Sequence, residues 1–218
     1  MSGPLAWEPT PEEEAEEREF QRLYGPWDTY DRGQVAALLA GYDRPWWLVG
    51  GWSIEAFTGV ERRHEDIDVV VFRRDLPRLQ ELLGDRFHFW SAGAGALRPL
   101  SSEWPEPHPD AGQVWLREHA LAPWRLDVIL SDDHDGEWVS RREPDWHAPL
   151  DEVTWVADDG IRHLLPEIVL QHKAKLDRPK DRVDLAVAWP LLSAERQAWL
   201  REAVRRLHPG HAWLDRMA

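Results

Sequence analysis

Two aspartates, Asp66 and Asp68, stand at the start of an apolar run at 69–72. Residues two apart in an extended strand project from the same face, so these carboxylates point the same way. Holding them together is costly unless a positive charge lies between them, and Mg²⁺ bound by carboxylates and substrate phosphates is one such charge. An ion pair with Arg62 or Arg63 is the alternative. The spacing therefore predicts either a divalent metal site or a salt-bridged pair.

A glycine pair, Gly50 and Gly51, separates an apolar run at 46–49 from a short helical segment at 53–58. Glycine lets the backbone approach a ligand closely, and free N–H groups at the start of a helix bind phosphate. The pair predicts a phosphate cradle, with a plain tight turn as the alternative. Ser53 is placed either to donate to a phosphate or to cap the helix. Together with the two carboxylates, this turn predicts nucleotidyl transfer.

A third aspartate, Asp127, lies between Leu126 and Val128 in a predicted strand at 124–130. A carboxylate inside an apolar strand is costly without a partner. This position predicts a third metal ligand, and a strand-edge aspartate is the alternative. The same carboxylate could also take the proton of a reacting hydroxyl, a role that shared coordination with a cation would weaken.

Two basic residues are candidates for binding phosphate. Arg62 precedes the aspartate strand, where a guanidinium suits a phosphate but could equally pair with the acidic cluster. Lys173 falls on the apolar face of a predicted helix at 166–177, and a lysine there needs an anion. That anion is either a triphosphate or an internal carboxylate such as Glu167 or Asp184.

The composition narrows the class of protein. A chain of 218 residues, 43% of them hydrophobic, is long enough for one sizeable core and a helical annex. The net charge of −14 disfavours general nucleic-acid binding and favours cationic or neutral small molecules, although it could serve solubility alone. The chain has no cysteine, which excludes thiolate chemistry. With no long apolar run and no basic, apolar leader, we expect no membrane partner and a cytoplasmic location.

An acidic stretch follows the Asp127 strand. We expect its members to form a negative rim that selects a cationic or neutral acceptor. They are Asp132, Asp133, Asp135 and Glu137.

The order of predicted elements indicates an α+β fold with a C-terminal helical annex. Strand-rich sequence comes first, and three helices are predicted last, at 166–177, 179–190 and 194–207. We expect an acidic tail or surface helix at 1–22, a core at 23–160 and a helical subdomain at 161–218.

These motifs together make the chain resemble the nucleotidyltransferase superfamily, and within it the aminoglycoside 2″-adenylyltransferase-like and lincosamide nucleotidyltransferase-like group. The resemblance spans roughly residues 23–190. It is carried by the segments 46–55 and 62–69, by Asp127 and by the segment 166–184. The stretch 92–123 between the carboxylate strands is longer than is usual in the group.

The resemblance implies a mixed sheet flanked by helices, in which three carboxylates hold two Mg²⁺ ions. Asp66, Asp68 and Asp127 match those positions. It further implies transfer of a nucleoside monophosphate, AMP from ATP, to a hydroxyl of a small molecule such as an aminoglycoside-like antibiotic. Two alternatives stay open: transfer to a protein or a tRNA, and a nucleotide-binding module without activity.

Overall fold

The computed structural model describes residues 9–93 and 95–217. The helices and strands alternate through the first two thirds of the chain, and helices dominate the last third. The helices are α1 (Pro11–Tyr24), α2 (Arg32–Leu38), α3 (Gly50–Thr58), α4 (Leu76–Leu83), α5 (Leu150–Val153), α6 (Pro166–Ala174), α7 (Pro179–Ala188), α8 (Ala194–Leu207) and α9 (Trp213–Arg216). The strands are β1 (Trp46–Leu48), β2 (Asp68–Phe72), β3 (His88–Gly93), β4 (Ala96–Pro99), β5 (Gln113–Arg117), β6 (Leu126–Ser131), β7 (Asp133–His134), β8 (Glu137–Val139), β9 (His147–Ala148), β10 (Thr154–Val156) and β11 (Arg162–Leu164).

Eight strands form one mixed sheet in the order β10-β11-β1-β2-β6-β5-β3-β4. The pairs β1–β11 and β2–β6 are parallel, and the other pairs are antiparallel. Strands β7, β8 and β9 form a second, small sheet. The predicted fold, a mixed sheet flanked by helices with a helical C-terminal part, is confirmed.

Alternation along β2 decides which helices cover each face of the sheet. Val69 and Val71 belong to a core that includes residues of α2 and α4. Val70 and Phe72 belong to a second core, which includes residues of α3 and of α6 to α8. Because side chains alternate between faces, Asp68 lies on the side of the C-terminal helices.

The C-terminal helices begin where the sequence predicts. Pro166 and Pro179 occupy the first turns of α6 and α7, where proline fits because no N–H partner is needed. Ser193 caps α8 by accepting a hydrogen bond from the Arg196 backbone N–H. Just before α6, β11 pairs in parallel with β1, so the chain re-enters the large sheet before the helices begin.

The acidic N-terminal segment forms a complete helix over its described part. Thr10 and Glu13 make a reciprocal capping box at the start of α1. Near its end, Phe20 and Tyr24 contact the indole ring of Trp115 at centroid distances of 5.9 and 6.2 Å. The helix therefore packs on the sheet through aromatic contacts rather than trailing into solvent. Residues 1–8 of the predicted acidic tail or surface helix lie outside the described residues.

None of the helices within 9–93 and 95–217 combines the length and apolar composition that a membrane span requires.

Candidate active site

The central feature of the site is a pair of carboxylates on neighbouring strands. Asp68 at the start of β2 lies directly opposite Asp127 on β6, in a parallel register. Asp127 is only 7% exposed, whereas Asp68 is partly buried. Asp66 precedes Asp68 by two residues and lines the same cleft. The structure thus places the three predicted aspartates along two adjoining cavities, with Asp68 in the wall of one, Asp127 in the wall of the other and Asp66 in both.

This group carries negative charge that the protein does not fully compensate. Burial, followed by the charge of Asp66, raises the pKa of Asp68 to about 7, although Lys173, Lys180 and Arg178 oppose this rise. Burial, followed by the charges of Asp68 and Asp66, raises the pKa of Asp127 well above its usual value. The neighbouring Trp115 indole and the charge of Arg141 oppose this rise, but within the described part of the chain no donor meets Oδ1 of Asp127 with hydrogen-bond geometry. A cation or a proton is therefore needed here.

The residues fit a divalent metal only if a substrate completes its shell. Over the described residues, no three histidine or carboxylate side chains converge closely enough to enclose a metal ion. Mg²⁺ is usually bound by one or two carboxylates plus substrate phosphates rather than by an all-protein cage. The unpartnered Asp127 oxygen and the raised pKa of Asp68 suit that arrangement.

The glycine turn lies directly against this group. Helix α3 begins at Gly50, whose φ is +70°, and Val49 precedes it without a side-chain cap. A Cβ added at Gly50 would lie 2.2 Å from Oδ2 of Asp68, and one at Gly51 would lie 2.0 Å from Nη2 of Arg62. At either position a Cβ would displace a side chain of the site, and the positive φ of Gly50 also favours glycine there. The same closeness leaves the first N–H groups of α3 beside the carboxylates.

A cavity of about 310 Å³ opens beside the glycine turn and the two aspartates. We call it the basic cavity, because six cationic side chains contribute to its walls. These are Arg62, Arg141, Arg142, Lys173, Arg178 and Lys180. Such a wall suits a polyphosphate.

Two of these cations also hold an internal carboxylate, Asp184. Arg62 donates to both Asp184 oxygens, from Nε at 2.8 Å and from Nη2 at 3.0 Å. Nζ of Lys173 lies 2.9 Å from Asp184 Oδ2 and 2.9 Å from Asp181 Oδ1. The ion-pair alternatives considered for Arg62 and Lys173 are therefore present, and both side chains still line the basic cavity.

Ser53 lies in the interior. Its side chain is fully buried, and its hydroxyl donates to the Leu48 carbonyl at 2.8 Å. Oγ also lies 3.2 Å from Nδ1 of His163, whose pKa burial lowers to about 4. The helix cap is Val49, so Ser53 does not cap α3. The Ser53 hydroxyl is engaged inside the protein, with Leu48 and His163, and we assign it no contact with phosphate.

A second cavity, also of about 310 Å³, adjoins the first. We call it the aromatic cavity, because three aromatic side chains and several acidic ones form its walls. Those aromatic and acidic residues are Glu17, Phe20, Trp27, Glu65, Asp66, Trp115 and Asp127. The residues that it shares with the basic cavity are Glu65, Asp66, Gln113, Arg178 and Lys180.

Several site residues were not predicted from the sequence. Arg178 and Lys180 stand in the segment that carried the resemblance, but nothing local indicated that they face Asp66. Lys180 forms an ion pair with Glu65 across the cleft. Arg141 and Gln113 come from the long stretch between and after the carboxylate strands. An Arg-Pro-Lys sequence opening a helix is the one signal that could have suggested an anion site.

The acidic stretch after β6 lies outside the walls of both cavities. Asp132 pairs with Arg73 at 2.8 Å, Asp133 pairs with Arg74, and Glu137 contacts His147 at 2.6 Å. Neither cavity is lined by these residues or by Asp135. The structure therefore gives the predicted acidic rim no place in the cavity walls.

The chain is similar to known antibiotic adenylyltransferases. The family model described as aminoglycoside-2''-adenylyltransferase matches residues 33–90, a segment that includes the glycine turn and two of the aspartates. No curated protein matches the chain in sequence.

Solved structures extend the likeness to most of the chain. The solution structure of the antibiotic-resistance factor ANT(2'')-Ia is 20% identical, with a TM-score of 0.51, and covers 80% of this chain and 89% of its own. The crystal structure of ANT(2'')-Ia in complex with adenylyl-2''-tobramycin is 18% identical, with a TM-score of 0.53, and covers 80% and 94%. The lincomycin-bound lincosamide antibiotic adenylyltransferase LnuA is 19% identical, with a TM-score of 0.50, and covers 72% and 95%. These findings confirm the predicted resemblance and fold, and the matched proteins are of the predicted enzyme class.

Proposed function

We propose that this protein is a Mg²⁺-dependent nucleotidyltransferase that moves AMP from ATP to a hydroxyl of a small, cationic, aminoglycoside-like molecule. The observation that carries the proposal is the in-register pair Asp68–Asp127, whose negative charge is unmet beside a glycine turn and a basic cavity. The likeness to antibiotic adenylyltransferases supports the same reaction class. A reaction that consumes ATP also fits the predicted cytoplasmic location.

Each of the two cavities would bind one of the two substrates. The basic cavity would take the nucleotide, with its triphosphate against Gly50, Gly51 and the cations Arg178 and Lys180. The aromatic cavity would take the acceptor, because its walls beyond the two shared cations, Arg178 and Lys180, are acidic and aromatic and suit a cation. Since Asp66 lines both, the reacting atoms meet at the carboxylates.

In the proposed reaction, the acceptor oxygen forms a bond to the α-phosphorus of ATP. The bond from that phosphorus to the oxygen that bridges to the β-phosphate breaks, and its electron pair leaves with pyrophosphate. The hydroxyl proton moves to the carboxylate of Asp127, which lines the aromatic cavity. Mg²⁺ held by Asp66, Asp68 and Asp127, as two ions, would neutralise charge on the phosphate and the attacking oxygen.

The remaining work of the protein is positioning and charge neutralisation. Arg62 and Lys173 are fixed by Asp184, so their cationic heads stay in place at the cavity wall without reorganisation. Pairing with Asp184 reduces their net charge. Arg178 and Lys180 are paired as well, with Asp181 and Glu65, but they line both cavities, where the substrates would meet. We therefore assign Arg178 and Lys180 to the developing pyrophosphate, and Arg62 and Lys173 to shaping the wall.

The proposal is tested by incubating the full chain with Mg²⁺, ATP and, separately, tobramycin, lincomycin and tRNA. Pyrophosphate release and a mass increase of one AMP on an antibiotic are expected, and Asp127→Asn should abolish both. Adenylylation of tRNA alone would replace the small-molecule acceptor by a nucleic acid. An absence of both ATP binding and pyrophosphate release would contradict the proposal.

A further inference from the structure

The geometry points to α1 as a wall of the acceptor site, in which Glu17 binds an ammonium group of a polycationic acceptor. This inference rests on the proposed function, and it names the residues that choose the acceptor. Selection of the acceptor is thereby assigned to the N-terminal helix α1, whereas the sequence predicted it for the acidic stretch after β6.

Helix α1 is held firmly against the strand that carries Asp127. Nε1 of Trp124 donates to the Tyr24 carbonyl at 2.7 Å, at the end of the helix. Beyond it, the Trp124 backbone N–H donates to the Pro26 carbonyl at 2.9 Å, and the Asp28 N–H donates to the Trp124 carbonyl at 3.0 Å. Trp124 precedes Asp127 by three residues, so the helix and the reactive carboxylate share one rigid support.

Aromatic packing orients the helix. Trp115 lies opposite Asp127 in the register of β5 and β6. Its ring contacts Phe20 at 5.9 Å, and it meets Trp27 edge-on at 5.3 Å. The three rings therefore form the aromatic wall of the aromatic cavity, beside Asp127. Aromatic faces stabilise ammonium groups and pack well on the ring faces of sugars.

Glu17 stands three residues before Phe20, on the same face of α1. Its carboxylate accepts a hydrogen bond from Nε2 of Gln21 at 2.7 Å, which fixes its orientation. Glu17 lines the aromatic cavity, and it also lines an adjoining groove of about 490 Å³ that Glu13 and Glu14 extend along the helix. Arg18 and Arg63 also line that groove, so the ammonium groups of an extended molecule would bind on its acidic side, at Glu13, Glu14 and Glu17.

The acidic helix alone would not identify a binding site. The second observation is Asp127, which is 7% exposed, lines the same cavity and has no hydrogen-bond partner for Oδ1 among the described residues. A hydroxyl donor is the ligand that this oxygen lacks. A molecule that presents a hydroxyl to Asp127 and an ammonium group to Glu17 would satisfy both ends of the cavity.

The test compares two charge-matched variants of the full chain, Glu17→Gln and Glu16→Gln. Both remove one negative charge from α1, but Glu16 is exposed and lines neither the aromatic cavity nor the adjoining groove. Tobramycin binding is measured by calorimetry at low salt, in the presence of Mg²⁺ and a non-hydrolysable ATP analogue. Melting temperatures of both variants confirm that they are folded.

We expect Glu17→Gln to weaken tobramycin binding by at least fivefold and Glu16→Gln by less than twofold, with ATP-analogue affinity unchanged in both. Equal effects of the two variants would overturn the inference, because the charge of α1 would then act only from a distance. A wild-type protein that binds the nucleotide but not tobramycin would also overturn it. Neither result would remove the proposed nucleotidyl transfer, which fails only if nucleotide binding and pyrophosphate release are both absent.

Discussion

Asp68 and Asp127 face each other across the parallel strands β2 and β6, and burial raises the pKa of both carboxyl groups. The charge of Asp66 adds to the rise at Asp68, and the charges of Asp68 and Asp66 add to it at Asp127. Two acidic side chains from distant parts of the chain are thereby held where neither can ionise cheaply. Burying such a pair lowers the free energy of unfolding, and a cation bound between the carboxylates and a substrate phosphate offsets this loss. This relationship links the stability of the protein to its proposed chemistry.

Asp127→Asn should separate stability from activity. Asparagine is nearly isosteric and removes the costly buried charge, so the melting temperature should stay constant or rise by a few degrees. Pyrophosphate release should fall by at least a hundredfold, because the proton acceptor and metal ligand are both lost. Differential scanning fluorimetry and a pyrophosphate assay on the same sample measure the two effects. A large fall in melting temperature with activity retained would identify Asp127 as a structural ion-pair member.

The metal-free protein should lose stability as the pH rises through neutrality. The pKa of Asp68 is about 7 in the folded chain and about 4 when unfolded, so its contribution to stability is fully present below about pH 4 and falls as the pH rises from there towards 7. That contribution is lost as the pH passes 7, by about 1 kcal/mol between pH 6.5 and 8.5. Mg²⁺ should therefore raise the melting temperature more at pH 8.5 than at pH 6.5.

Asp68→Asn is the matched control for this pH dependence. Its melting temperature should vary less over the same interval, and its response to Mg²⁺ should shrink. A wild-type melting temperature that stays flat or rises from pH 6.5 to 8.5 would argue against a protonated carboxylate in this cluster.

Gly50→Ala should weaken nucleotide binding in addition to the loss of stability that its positive φ causes. Gly50 and Gly59 have nearly equal φ angles, +70° and +67°, so alanine costs each a similar amount of backbone energy. At Gly50 the added Cβ would lie 2.2 Å from Asp68 Oδ2, whereas at Gly59 nothing lies within 4 Å. Gly59→Ala should lose stability but keep the affinity for an ATP analogue. Gly50→Ala should lose at least tenfold in that affinity, and equal affinities would show that the turn does not contact the nucleotide.

Asp184→Asn should destabilise the whole fold. Asp184 is 2% exposed and pairs with both Arg62 and Lys173, so its loss leaves Arg62 without its carboxylate partner and Lys173 with Asp181 alone. Breaking a buried pair costs about 3–5 kcal/mol, which urea unfolding would detect. Asp43→Asn removes a surface pair with Arg78 and should change the stability little. Similar unfolding midpoints for the two variants would show that the Asp184 network contributes little.

Local signals made part of this structure predictable. Helix α8 spans 194–207 as predicted, because its serine cap and its apolar spacing both lie within the segment. Likewise, the glycine turn and the Asp66–Asp68 spacing are short-range patterns, and Asp127 was visible as a charge inside an apolar strand.

The rest depends on contacts between distant segments. The sequence placed Lys173 on an apolar helix face and named Asp184 as a candidate partner, but only the packing of α6 against α7 shows that Asp181 contacts the same ammonium group. Trp115 lies opposite Asp127 only through the order of strands in the sheet. The acidic rim was expected after β6 because it is close in sequence, whereas the acidic residues beside the site come from α1.

The most direct test of the central claim is calorimetric titration of the protein with a non-hydrolysable ATP analogue, with and without Mg²⁺. Wild type is compared with the double variant Asp66→Asn/Asp68→Asn and with Asp132→Asn/Asp133→Asn, which removes the same charge away from both cavities. We predict that Mg²⁺ strengthens binding at least tenfold, about 1.4 kcal/mol, in wild type and in the control, and that the Asp66/Asp68 variant loses this gain. Equal affinity with and without Mg²⁺ in wild type would contradict the account.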